Sequence, residues 1–180
     1  MKIRFSKEES GQALIEMSFG FIVLCVFVFG AIDFGRAVYD SQVMKNLAGE
    51  GSSMASRGTS LTQTVTTVMN YAGTTIDLRN KGCIIETTVT NNAGTAKITG
   101  QNSVCAITAT SKIGCVQGTA NCASGTPTLP AGALAALLAE PDQSNLSVTE
   151  IFFNYSPITP IAGLMHGNLL PSQMYSVAYY

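Results

Sequence analysis

The feature that most constrains this chain is an apolar run near its N-terminus. Residues 17–32, MSFGFIVLCVFVFGAI, carry no charge. If the run is extended back to Ala13, Glu16 is the one charged residue that it gains. A helix of that length rises about 30 Å at ~1.5 Å per residue, which matches the hydrocarbon core of a bilayer. The sequence therefore predicts a membrane-spanning helix over residues 12–32. Glu16 needs an explanation, because a carboxylate deep in hydrocarbon costs on the order of 3 kcal/mol.

The residues that flank the run distinguish between two interpretations of it, a cleaved signal peptide and a membrane anchor. A signal peptide requires small residues at a cleavage site after the run, where this chain has Asp33 and Phe34. Three basic residues, Lys2, Arg4 and Lys7, precede the run, and fewer follow it closely. This bias favours an anchor with a cytoplasmic N-terminus and an exported remainder. A plain anchor leaves the embedded carboxylate unexplained.

Gly11 offers an explanation for that carboxylate. If the chain is cut after Gly11, Gln12 becomes the new N-terminus and Glu16 the fifth residue of the mature protein. A free α-amine has a pKa of about 8 and is positively charged near neutral pH. We expect this amine to pair with Glu16 of a neighbouring subunit and so to set the axial register between subunits.

These residues resemble the processing site of type IV pilins, in which a glycine precedes the cut and a glutamate follows at the fifth position. The longer segment 11–58 is similar to TadE-like proteins, the pseudopilins of tight-adherence pilus systems, and IDFGR at 32–36 is its most similar piece. VTEIFFNYSPITPIAGL at 148–164 also resembles a segment near the C-terminus of that family. Unlike many members, this chain has no proline shortly after Glu16. A mature N-terminus at Gln12, rather than Phe or Met, favours the tight-adherence branch.

The resemblance implies a non-enzymatic pilin-like protein with a leader at residues 1–11, which a prepilin peptidase removes. It also implies three further partners: other pilin or pseudopilin subunits, an inner-membrane assembly platform and the lipid bilayer. The protein is then expected in the inner membrane with its head exported, or incorporated into an extracellular pilus. Two alternatives remain open, a type II secretion pseudopilin and a membrane-anchored adhesin or binding domain that does not polymerise.

Residues 33–58 are predicted to continue the helix as an amphipathic stem that ends at Gly58. Asp33 and Asp40 are expected on its polar side. The opposite, apolar side is expected to pack against the head of the same chain, against other helices, or both. That side consists of Phe34, Ala37, Val38, Val43, Met44, Leu47 and Ala48.

Residues 59–180 are predicted to form an exported, β-rich head. A helix is expected over residues 59–72, with Thr59 or Ser60 as its N-cap, and a second one between Pro130 and Pro141. Segments rich in Val, Ile, Thr and aromatic residues predict strands at 83–90, 103–110, 146–155 and 173–180. NNAGTAK at 91–97 is typical of a hairpin turn. The fold class expected is α+β, a small antiparallel sheet on a long N-terminal helix.

Four cysteines fall in the head, namely Cys83, Cys105, Cys115 and Cys122. In an oxidising compartment they predict two disulfides, for which three pairings are possible. A zinc site is the competing interpretation, but the chain has no Cys-x-x-Cys pair and only one histidine, His166. Cys25 lies in the apolar run and is expected to act as an apolar filler.

Charge and composition argue against several classes of function. Charged residues make up 12% of the chain and its net charge is −1, so no basic field indicates nucleic-acid binding. His166 stands near no nucleophile motif, so we expect no catalytic set. No metal and no cofactor are predicted. Glu140 and Asp142 have the chemistry of calcium ligands, but ordinary loop polarity explains them better.

Overall fold

The structure is a computed structural model that describes residues 9–73, 75–115, 125–159 and 172–180. These residues fall into two compact units. The first contains residues 9–38 and 156–159, and the second contains the remaining described residues. A long N-terminal helix is followed by a head built on an antiparallel sheet, so the predicted α+β class is confirmed.

Helix α1, Glu9–Ser56, contains the whole apolar run and continues beyond it. No proline interrupts this segment. After the helix, Gly58 adopts a φ of 91° and its N–H donates to the Ala55 carbonyl at 3.0 Å. The N–H of Thr59 donates to the Met54 carbonyl at 3.3 Å. This pair of bonds is a Schellman motif, in which a glycine adopts the left-handed conformation. Gly58 ends the helix as predicted.

The buried face of α1 beyond the apolar run differs from the predicted one. Phe34 and Val38 were expected to pack against the head or against other helices, and within this chain they do not pack, since their side chains are 63% and 39% exposed. The expectation that Asp33 and Asp40 lie on the solvent side is also wrong, because both are buried. Asp33 tolerates burial because hydrogen-bond donors lie opposite its carboxylate. The buried positions recur at helical spacing and are Asp33, Ala37, Asp40, Met44, Ala48, Gly51 and Ser52.

Three shorter helices lie in the described part of the head: α2, Leu61–Ala72; α3, Leu78–Lys81; and α4, Ala131–Ala139. Ser60 caps α2, as predicted, with its hydroxyl accepting the N–H of Gln63 at 3.3 Å. Its buried face includes Val65, Val68, Met69 and Ala72. Helix α4 begins directly after Pro130, also as expected. The single turn of α3 was not predicted.

The described strands form one antiparallel sheet with the order β2-β1-β3-β4. Their bounds are β1, Gly82–Asn92; β2, Thr95–Cys105; β3, Asn145–Asn154; and β4, Gln173–Tyr179. Ala93 and Gly94 form the predicted hairpin turn, with φ values of 51° and 78°. The predicted strand at 103–110 is wrong in its bounds. The tight turn starts β2 at Thr95, and its ladder with β1 ends where Cys105 lies opposite Cys83.

Each face of the sheet is covered by different elements. On one face, the C-terminal part of α1 approaches so closely that a Cβ added to Gly51 would lie 2.8 Å from Thr149 Oγ1 and 3.2 Å from Val68 Cγ2. Helix α2, which carries Val68, therefore packs on the same face. The opposite face is covered by α4 and by the segment after β2. Its core contains Val89, Ala96, Ile98, Ile113, Leu137 and Val148. The head is thus a sheet between two covering layers.

Candidate functional site

The apolar part of α1 is the most exposed hydrophobic surface that the structure describes. From Gly11 to Ile32 every side chain is exposed except that of Cys25, which is half-buried. Phe27 and Phe19 are 72% and 67% exposed. Within the described residues, α1 is the one helix long and apolar enough to cross a membrane. Ser18, a polar residue in this segment, donates its hydroxyl to the Leu14 carbonyl at 2.8 Å. Its hydroxyl hydrogen is therefore bonded within the helix, as a lipid environment requires.

The three residues of the expected processing site lie near the start of α1. Gly11 and Gln12 are exposed, as is Glu16 about one turn further along. Among the described residues, the Glu16 carboxylate has no hydrogen-bond or ion-pair partner. A carboxylate in this position is available to a group on another molecule.

At the end of the apolar run, Asp33 binds a segment that lies 125 residues further along the chain. Its Oδ1 accepts the backbone N–H of Ile158 at 3.0 Å and that of Thr159 at 3.4 Å. Its Oδ2 accepts the hydroxyl of Thr159. We refer to these three residues, Asp33, Ile158 and Thr159, as the Asp33 clasp. All three belong to the first compact unit.

The clasp joins two segments that sequence reasoning had selected separately. Asp33 lies in IDFGR, and Ile158 and Thr159 lie in SPITP. Pro157, which precedes the two amides, fixes its own φ and restricts the residue before it, so the segment is stiff. Pro160 lies outside the described residues. The contact itself was missed because a pattern within either segment carries no information on its distant partner.

The clasp also changes the acidity of Asp33, which lies just outside the predicted span. The Thr159 hydroxyl lowers the pKa of Asp33 below its ordinary value, and the two backbone N–H groups act in the same direction. Burial opposes them. The clasp therefore holds an ionised carboxylate at neutral and mildly acidic pH.

Two buried glutamates in the head have very different partners. Glu150 accepts hydrogen bonds from the Lys112 N–H and the Tyr175 hydroxyl, both at 2.9 Å, and from the Ser111 hydroxyl. Burial, together with the Glu150 charge and hydrogen bond, raises the pKa of Tyr175. Glu86 accepts only the Thr149 hydroxyl among the described residues, and its Oε1 has no partner there. Burial raises the pKa of Glu86 to about 7.

The cysteines of the head are oxidised where the structure describes them. Cys83 and Cys105 form a disulfide between β1 and β2. Cys115 is also disulfide-bonded, and Cys122 lies outside the described residues. Cys25 is a free thiol in the apolar run.

The described residues do not assemble an evident catalytic or metal site. They contain no group of three or more His, Cys, Asp or Glu residues placed to hold a metal. Asp142 instead accepts the N–H of Ala93 at 2.7 Å and so fixes the hairpin turn. His166 lies outside the described residues. An open cleft of about 320 Å³ between α2, α3 and the end of β2 contains one charged side chain, Arg79, which donates to Asn70 Oδ1 at 2.5 Å.

Comparison with protein families agrees with the resemblance of the N-terminal segment. The family model described as TadE-like protein matches residues 11–53. The resemblance to TadE-like proteins is thereby confirmed for this part of the chain, which includes Glu16 and Asp33. Comparisons with curated proteins and with solved structures found no match.

Proposed function

From its TadE-like N-terminal segment, we propose that the chain is a minor pilin or pseudopilin that takes part in assembly of a tight-adherence pilus. Its proposed partners are a prepilin peptidase, other pilus subunits, the inner-membrane assembly platform and the lipid bilayer. The observation that carries this proposal is the continuity of α1. One helix, Glu9–Ser56, contains the cleavage motif, the exposed apolar run and a C-terminal part that packs on the sheet of the head at Gly51.

The exposed apolar run suits two successive environments. In the inner membrane its side chains contact lipid, with Lys2, Arg4 and Lys7 on the cytoplasmic side. In a filament the same side chains pack against the helices of other subunits. Because lipid tails are as apolar as these side chains, close packing between helices, rather than removal from water, stabilises this contact as subunits leave the membrane.

Glu16 and the Asp33 clasp have separate roles in this proposal. Glu16 is partnered by the α-amine of Gln12 in a neighbouring subunit after cleavage, which sets the register between the helices. The clasp lies at the opposite end of the run, where the helix leaves the membrane. There it ties the 156–159 segment to the helix, so that the end of the run has a defined structure.

Replacement of Glu16 by Ala in cells that build the pilus tests the proposal. We expect the variant to be cleaved normally, with Gln12 as its first residue by intact mass, and to be lost from sheared pili. Glu50→Ala is the matched control, since Glu50 is an exposed glutamate of the same helix outside the run. It should be both cleaved and incorporated.

Two results would contradict the proposal. If the wild-type protein retains Met1 and remains monomeric in detergent, a membrane-anchored binding domain explains the chain better. If Glu16→Ala enters the filament as efficiently as Glu50→Ala, Glu16 does not set the register. Recovery of the processed protein with a secretion machine rather than with pili would favour the type II secretion alternative.

A further inference from the structure

Strand β4 forms one edge of the described sheet, and its outer side carries backbone groups that have no partner among the described residues. The ends of the β3–β4 ladder fix which residues face β3. Ser147 and Tyr180 exchange two backbone hydrogen bonds at 2.9 Å, and the N–H of Tyr155 donates to the Ser172 carbonyl at 3.0 Å. The register between these ends contains no shift. In an antiparallel ladder, hydrogen-bonded pairs alternate with non-bonded pairs.

It follows that the N–H and C=O groups of Met174, Ser176 and Ala178 point toward β3. Those of Tyr175, Val177 and Tyr179 point away from the sheet. Among the described residues these outward groups have no hydrogen-bond partner. They form a row of donors and acceptors at the spacing of a β-ladder, which is the arrangement that binds an added strand.

The opposite edge of the sheet is protected, whereas no described residue protects the β4 edge. On β2, the N–H of Ile98 donates to the Gly125 carbonyl at 2.8 Å, and Lys97 places a charge on the strand. Strand β4, QMYSVAY, contains no charge, no proline and no glycine. Natural edge strands usually carry at least one such feature, which prevents association.

We propose that β4 pairs with β4 of a second copy of this chain, antiparallel and about a twofold axis at Val177. The strand has no charge, so two copies pair without like-charge repulsion. The three outward residues are arranged symmetrically about Val177. Val177 therefore lies opposite Val177 of the second copy, and Tyr175 lies opposite Tyr179. The two four-stranded sheets become one continuous sheet.

This interface is independent of the contacts made by α1 and goes beyond the proposed filament role. It joins two heads and leaves both faces of each sheet covered as described above. The contacts of the Tyr175 ring are kept as well. Its ring centroid lies 4.9 Å from that of Phe152, and Lys112 Nζ lies 3.8 Å from the Tyr175 centroid.

Site-specific crosslinking of the full chain in detergent micelles tests the pairing. Val177→Cys is made in a Cys25→Ser background, which removes the free thiol of α1. Cα atoms of a hydrogen-bonded antiparallel pair lie about 5.5 Å apart, within the range that a disulfide spans. We expect mild oxidation to give a covalent dimer. Lys97→Cys, at an exposed position on the other edge strand, is the control for random collision. Equal dimer yields from the two variants would overturn the proposal.

Hydrogen exchange of the wild-type chain provides a test that does not depend on a variant. In the dimer, the amides of Tyr175, Val177 and Tyr179 are bonded across the axis and exchange slowly, as those of Ser176 and Ala178 do at any concentration. Dilution below the dissociation constant should raise exchange at Tyr175, Val177 and Tyr179 but not at Ser176 and Ala178. Fast exchange of these three outward amides at every concentration, with slow exchange of Ser176 and Ala178, would show that the edge stays unpaired.

Discussion

Glu86 lies at the centre of the sheet, on the face that α1 and α2 cover, and it is fully buried. The Thr149 hydroxyl is its only described donor, and this single bond does not offset the loss of water around the carboxylate. Its pKa is raised from 4.5 to about 7, with burial as the main cause. The group is therefore largely protonated in mildly acidic surroundings and becomes charged near neutral pH.

We expect the head to lose stability as pH rises from 5 to 8, and Glu86→Gln to remove this dependence. Because the folded pKa exceeds the unfolded one, stability from Glu86 is fully present below pH 4.5 and is lost as pH rises through 7. The full change is about 3 kcal/mol. The measurement is thermal unfolding of the full chain in detergent as a function of pH. Glu50→Gln should keep the wild-type slope, and an unchanged slope in Glu86→Gln would contradict the assignment.

The Asp33 clasp yields a second prediction at the level of single residues. Asp33→Asn keeps an acceptor oxygen but removes the charge, and a hydrogen bond to a charged group contributes about 2 kcal/mol. We expect exchange of the Ile158 and Thr159 amides to accelerate at least tenfold, measured by hydrogen exchange on the full chain. Asp142→Asn, which changes a carboxylate in the hairpin region, is the control and should leave both amides unaffected. Unchanged exchange in Asp33→Asn would show that the clasp contributes no protection.

At the scale of elements, the position of α1 on the sheet depends on a close approach at Gly51. Thr149 Oγ1 and Cγ2 would lie 2.8 and 2.9 Å from a Cβ at this position, closer than a real Cβ permits. Thr149 is fully buried and β-branched, so its side chain has little freedom to move away. A Cβ added to Gly49, two residues earlier, would meet no heavy atom within 4 Å.

Gly51→Ala and Gly49→Ala are therefore expected to change stability in opposite directions. Alanine is favoured over glycine in a helix by about 1 kcal/mol, and Gly49→Ala should gain most of this. Gly51→Ala meets the Thr149 side chain and should lose about 1–3 kcal/mol through overpacking. Thermal unfolding of the two variants measures the difference. If both variants were more stable than the wild type, the helix would be able to move away from Thr149 without loss of stability.

At the scale of the whole molecule, the Cys83–Cys105 disulfide closes the open end of the β1–β2 hairpin across a sequence separation of 22 residues. A loop of this length corresponds to a stabilisation of about 3 kcal/mol in the chain-entropy description. The double variant Cys83→Ser, Cys105→Ser should lower the free energy of unfolding of the head by about that amount, measured in urea. Cys25→Ser should have little effect. If the double variant and Cys25→Ser lowered the free energy of unfolding by the same amount, the result would contradict a structural role for the disulfide.

Local patterns predicted α1, α2, α4 and the hairpin, because each of these depends on neighbouring residues; the single turn of α3 was missed. The Ser60 cap, the turn at Ala93 and Gly94, and the helix end at Gly58 are set by backbone chemistry within a few positions. The end of β2 was misplaced because β-rich composition continues past Cys105. Only the pairing with β1 decides where the strand stops.

The sequence by itself determined that the chain has a long apolar helix with a glutamate near its start, a TadE-like N-terminal segment and an α+β head. Periodicity, length and charge are properties of the chain, and they hold whatever the rest of the protein does. The tertiary structure alone decided that Asp33 binds Ile158 and Thr159, that Glu86 is buried with one described donor, and that β4 is an edge strand of the described sheet. Each of these depends on contacts between segments far apart in sequence, where desolvation and hydrogen bonding act on groups that no local pattern brings together.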